Sequence, residues 1–141
     1  MHVIRESRRD AETVPRPPLT RSEIGILSSL VAARRERNRC FANEAKLFSD
    51  PAWDMLIDLL DAAMQGRPVS ITGACGASGV PLTTALRYIR LLEQEGLIVR
   101  KADDADGRRV FLLLTAHGWQ RIRAYAAWLT TMAAGTTTND S

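Results

Sequence analysis

The chain has 141 residues, 45% hydrophobic and 25% charged, which suits one domain with a real core and excludes a disordered chain. Its net charge is only +3, but 17 of the 19 basic residues are Arg, the side chain suited to bidentate contact with phosphate and guanine edges. Two distant cysteines (Cys40, Cys75) and two distant histidines (His2, His117) exclude a disulfide framework, a CxxC cradle and an HExxH site, so neither a metal nor a cofactor is expected.

Residues 1–19 hold four Arg and three Pro and read as an extended or flexible arm rather than a helix. They show no apolar signal-peptide core, and no stretch is apolar enough for a membrane span. A reducing, cytoplasmic setting is therefore the expectation.

From Thr20, with Glu23 as capping partner, Ile24, Leu27, Leu30 and Val31 recur at helical spacing. The basic run Arg34-Arg35-Glu36-Arg37-Asn38-Arg39 follows, then Phe41, Ala45 and Phe48, giving one long helix or two joined ones. The basic run is a candidate for added phosphate contacts. Asp50-Pro51 opens the next helix, with Asp50 expected to cap it and Trp53, Leu56, Ile57, Leu60 and Met64 on its apolar face, ending near Gly66. Asp54, Asp58 and Asp61 are spaced along that helix and read as a solvated acidic face rather than a catalytic or metal group.

A short extended piece at 69–71 leads through Ser70 or Thr72 to a weak short helix within 73–79. After the turn at Gly79-Val80-Pro81 comes a stronger helix, LTTALRYIRLLEQEG, stopped at Gly96. Ala85, Leu92 and either Tyr88 or Ile89 face inward on it. Two strands, Leu97–Lys101 and Arg109–Leu114, flank a polar turn. Thr115 then caps a last helix through Trp119, Ile122, Tyr125, Ala126 and Leu129, ending near Ala134, with 135–141 a polar tail. Helix, turn, longer helix and hairpin is the order of a winged helix-turn-helix. The predicted fold is thus mainly α with a small β-hairpin wing, and the domain spans 20–134.

In such a unit the start of the second helix meets base edges, here Leu82, Thr83, Thr84, Arg87 and Arg90. Arg108 and Arg109 at the wing tip can reach a phosphate or a minor groove, and Arg67, Arg100 and Lys101 are candidate phosphate contacts, Arg100 and Lys101 alternatively pairing with the wing's Asp residues. Residues 67–101 carry five cations against two carboxylates, whereas 50–66 carry four Asp and no cation, so the positive charge is concentrated on the reading unit. Ile24, Leu27, Leu30, Val31, Trp119, Ile122, Tyr125 and Leu129 form apolar faces that need covering, by the same chain or by a second copy, with dimerisation through them the expectation. A homodimer would place two reading helices on a pseudo-palindromic duplex site.

The passage Leu92-Glu93-Gln94-Glu95-Gly96-Leu97-Ile98, the wing Asp106-Gly107-Arg108-Arg109 and the sequence Leu114-Thr115-Ala116-His117-Gly118 together resemble the multiple-antibiotic-resistance regulator (MarR-like) family of winged-helix transcription factors. The resemblance covers about residues 50–118. Pro81 and Leu82 stand where that family commonly carries polar residues. It implies sequence-specific binding to double-stranded DNA, a wing arginine (Arg108 or Arg109) in the minor groove, and a two-fold dimer built from the terminal helices. It names no small-molecule effector.

Competing functions find little support. The lysine of a phosphate-binding loop is missing beside Gly73, Gly76 and Gly79, and no serine or cysteine has a paired base, so no enzyme is indicated. Cys75 reads as a core thiol or an oxidation sensor. The alternative reading is a winged-helix protein-interaction or assembly module without sequence-specific DNA binding.

Overall fold

A computed structural model describes residues 16–48 and 50–139. Most of the predicted arm, 1–15, lies outside the described residues; 16–20 form no helix, and Arg16 donates from Nη1 to the Met64 carbonyl at 3.1 Å.

Helix α1, Arg21–Cys40, starts as its sequence dictates. Thr20 Oγ1 accepts from the Glu23 amide at 3.1 Å, and Glu23 Oε1 accepts from the Thr20 amide at 3.2 Å, a reciprocal capping box. The helix ends at Phe41, and tighter 3-10 turns occupy Ala42–Phe48, kinked at the non-helical Glu44. Helix α2, Pro51–Gln65, has Pro51 at its first position but gains no side-chain cap from Asp50. Asp54 Oδ2 instead accepts from the Asp50 amide itself, at 3.4 Å. Gly66, left-handed at φ 69°, closes α2.

Helix α3, Ile71–Ala77, is capped by Ser70, whose Oγ accepts from the Gly73 amide at 3.0 Å. Gly79, at φ 71°, turns the chain into α4, Leu82–Gln94. Gly96, at φ 73°, then sends it into β1, Ile98–Ala102, antiparallel to β2, Val110–Leu114, with Ile98 opposite Leu114 and Ala102 opposite Val110. The expected extended piece before α3 lies on the free edge of β2, with a bridge from Ser70 to Phe111 and a 2.8 Å bond from the Leu112 amide to the Val69 carbonyl.

Helix α5, Ala116–Asn139, runs past the predicted end at Ala134, so residues 135–139 continue the helix rather than form a tail. Thr115 ties its start to the end of α4: Oγ1 accepts from the Gly118 amide at 3.0 Å and donates to the Gly96 carbonyl at 2.5 Å.

One core joins all the elements: Leu27 and Val31 of α1, Ile57 and Leu60 of α2, Cys75 of α3, Ala85, Ile89 and Leu92 of α4, Leu112 and Leu114 of β2, and Trp119 and Ile122 of α5. On α4 it is Ile89, not Tyr88, that is buried. Helix α2 sits centrally, against α1, α3, α4 and β2. Met55, Leu59 and Ala62 are therefore buried too, while the predicted Trp53, Leu56 and Met64 are only half-buried.

Candidate nucleic-acid interface

On α4 the buried Ala85, Ile89 and Leu92 leave Thr83, Arg87 and Arg90 on the opposite face, at i, i+4 and i+7. All three are exposed. Thr84 is half-buried, and Leu82, 61% exposed, stands at the helix start. The Arg87 guanidinium lies 5.5 Å from the Tyr88 ring centroid, which steadies it without neutralising it. Among the described residues neither Arg87 nor Arg90 forms an ion pair, so both charges stay available to a ligand.

The wing's aspartates build its turn. Asp103 Oδ1 accepts from the Ala105 amide at 2.9 Å, and Asp106 Oδ1 accepts from the Arg108 amide at 3.1 Å and from Arg108 Nε at 3.2 Å. Arg108 is held at its Nε while its side chain remains 93% exposed. Arg109 is exposed and unpaired among the described residues. Arg100 does not pair with a wing Asp: its Nε donates to Glu93 Oε1 at 2.8 Å, fastening β1 to α4. Lys101 is half-buried without an ion pair among the described residues, and Arg67 is exposed, 4.0 Å from Asp61.

The basic run of α1 is paired within the chain. Arg34 pairs with Asp58, Arg35 with Asp61 at 2.7 Å and Arg37 with Asp54 at 3.2 Å. The acidic row of α2 is thus a ladder of ion pairs to α1, with Asp54 itself buried, and not a solvated face. The Nε atoms of Arg34 and Arg37 are buried with no acceptor among the described residues. Burial pushes the Asp58 carboxyl above its ordinary range, against the pull of Arg34. Neither partner was visible to periodicity alone; antiparallel pairing of the two helices was the missing step.

The predicted dimer faces divide in two. Leu27, Val31, Trp119 and Ile122 are consumed by the chain's own core, and Ile24, Leu30 and Leu129 are half-buried. Tyr125 stays 41% exposed, stacked on Trp53 with centroids 5.5 Å apart and edge-on to Trp128 at 6.3 Å. Trp128 and Met132, both more than half exposed, extend this aromatic patch along α5. They escaped prediction, although their spacing of three and seven residues from Tyr125 carries the signal.

Burial also pushes the Cys75 thiol up, which makes it a poor nucleophile. Cys40 is exposed, its thiol raised by partial desolvation and by the Glu36 carboxylate. Among the described residues no cluster of His, Cys, Asp or Glu could hold a metal ion, and no helix is long and apolar enough to cross a membrane.

The α3–turn–α4 pair and the β1–β2 hairpin, flanked by α1 and α5, define a winged helix-turn-helix domain. Solved structures share this fold. The chain is similar to the transcriptional regulator Tm0710 from Thermotoga maritima, at TM-score 0.57 and 22% identity over 77% of this chain and 80% of that one. It is also similar to MepR of S. aureus in its DNA complex, at TM-score 0.54 and 20% identity over 81% and 90% of the two chains. No protein-family model and no curated protein matches the sequence.

Proposed function

We propose that this protein is a MarR-like transcriptional regulator that binds double-stranded DNA sequence-specifically as a homodimer. The observation that carries the reading is the uncommitted cationic face: Arg87 and Arg90 stand on the outer side of α4, without ion pairs among the described residues, in the same domain as the exposed wing arginines Arg108 and Arg109. Several other arginines are held in ion pairs, Arg35 and Arg37 with Asp on α2, Arg39 with Glu36, Arg100 with Glu93 and Arg123 with Glu23. A complex of MepR with DNA on the same fold supports the same assignment. Thr83, Thr84 and Arg87 read base edges at the start of α4. Arg108 or Arg109 enters the minor groove, and Arg67 and Lys101 contact phosphates. The homodimer forms through the Tyr125–Trp128–Met132 patch of α5, and its two reading helices address a pseudo-palindromic site.

Binding of a selected duplex and a random duplex by Arg87→Ala tests the base-reading role. The selected site should lose about 1–3 kcal/mol of affinity while the random duplex loses much less. Equal losses on both would reduce Arg87 to a phosphate contact. The exposed Leu82 and Leu91 on α4 favour one second reading, a winged module that docks on a protein; weak, salt-insensitive DNA binding would select it.

A further inference from the structure

The front of α4 is apolar at the place where a reading helix meets base edges. Pro81, Leu82 and Thr83 are exposed in succession, Leu82 at 61%, and Pro81 offers no side-chain hydrogen bond to the first turn. Leu82 takes no part in the core, whereas Val80 before it and Leu86 beyond it pack against that core. Position explains the exposure. Leu82 opens the helix, and helical side chains lean toward the N-terminus, so it projects ahead of α4 rather than back onto Ala85 and Ile89. Leu91, 45% exposed, lies about two and a half turns further on, on the opposite side of the helix. The two leucines therefore form no continuous stripe for a partner helix. Leu82 is a single apolar tip beside the unpaired cations Arg87 and Arg90.

We propose that Leu82 is a specificity-determining residue that reads the C5 methyl group of a thymine in the major groove. The inference rests on the reading of the chain as a sequence-specific DNA-binding protein, and it names one base of the site. Base-pair edges in the major groove present hydrogen-bond donors and acceptors and one apolar group, the thymine methyl. A leucine has no donor or acceptor, so its gain comes from that methyl. Against a cytosine or purine edge it takes polar groups out of water without pairing them, which costs affinity. Hydrogen bonding to neighbouring bases falls to Thr83 and to Arg87, one turn beyond it.

The test is a double-substitution cycle between residue and base, on the full chain. A duplex selected from a random library by the native protein is remade with deoxyuridine in place of each thymine of a half-site in turn. That exchange removes the methyl and keeps the hydrogen-bonding edge. At one thymine per half-site the native protein should lose about three- to five-fold in affinity, the worth of one buried methyl. In Leu82→Ser the loss at that thymine should vanish, while Leu82→Met, still apolar, should keep it. Tm should stay unchanged in both variants, because the side chain is exposed. A common site in which no uracil penalty disappears in Leu82→Ser would overturn this assignment alone and leave Leu82 to a protein partner. Duplexes with no common sequence would overturn it together with sequence reading itself.

Discussion

At the scale of single residues, Gly118 shows why a sequence signature can be structural. A Cβ added there would lie 2.3 Å from the Leu97 carbonyl oxygen, where α5 crosses the corner between α4 and β1. Gly118→Ala should therefore destabilise the domain by at least about 1–3 kcal/mol in urea unfolding, the usual range for overpacking a tight site. Gly96, which must hold φ 73°, should cost about 1–2 kcal/mol as Ala. Thr115 is bonded to both glycines, so these three residues of the passages that carry the family resemblance serve the packing of α5 on the corner between α4 and β1. The ion-pair ladder is graded in the same way. Asp58→Ala strands the mostly buried Arg34 and should cost about 1–3 kcal/mol, whereas loss of Arg35, itself 63% exposed, should cost less than about 1 kcal/mol. Acid stability follows from Glu23, whose carboxyl is held below its usual 4.5 first by the hydrogen bond from Arg123 and then by Thr20. The folded chain keeps it ionised where the unfolded chain protonates, so this contribution is present above 4.5 and lost as pH falls through the lowered value. Asp58 has the opposite sign: its raised carboxyl takes up a proton first in the folded chain, so acidification does not cost stability there. Tm of Glu23→Gln followed downward from neutral pH should be flatter than that of the native protein; parallel curves would count against the Arg123 contact.

At the scale of elements, the helices and the hairpin were legible because capping and turn chemistry agree with periodicity. The Thr20–Glu23 box, Ser70, Gly66, Gly79 and Gly96 each act where the sequence places them. The errors came where one element's role depended on another. Asp50 makes no side-chain cap on α2, and its own amide is taken by Asp54 Oδ2. The ion pairs of Arg34, Arg35 and Arg37 to α2 could not be read from α1 alone. Arg100 pairs with Glu93 on α4 rather than with a wing Asp. The reading helix shows the reverse: its free face follows from one periodicity, and Thr83, Arg87 and Arg90 fall outside as expected. Restricting the DNA contacts to α4, the wing and Arg67 has a consequence for salt. Arg67→Gln should lower the slope of log K against log salt by about one, and replacement of Arg37 should leave it unchanged.

At the scale of the whole molecule, half of the residues expected to pair two copies are spent inside one. The homodimer proposed above would use the exposed patch from Tyr125 through Trp128 to Met132, with Trp53 stacked at its inner end. On that proposal the native protein sediments as a dimer at micromolar concentration and Trp128→Glu as a monomer with Tm retained; a variant that stays dimeric would move the interface elsewhere, and a monomeric native protein would contradict the homodimer. Local pairing explains why the overall +3 was uninformative: the aspartates of α2 pair with arginines of α1, whereas Arg87, Arg90 and Arg109 stay exposed without ion pairs among the described residues. The most direct test of a sequence-reading winged helix is selection of bound duplexes from a random library by the full chain. An inverted repeat with half-sites roughly one duplex turn, about 10 base pairs, apart or a multiple of it is the predicted result. Recovered duplexes with no common sequence would contradict it.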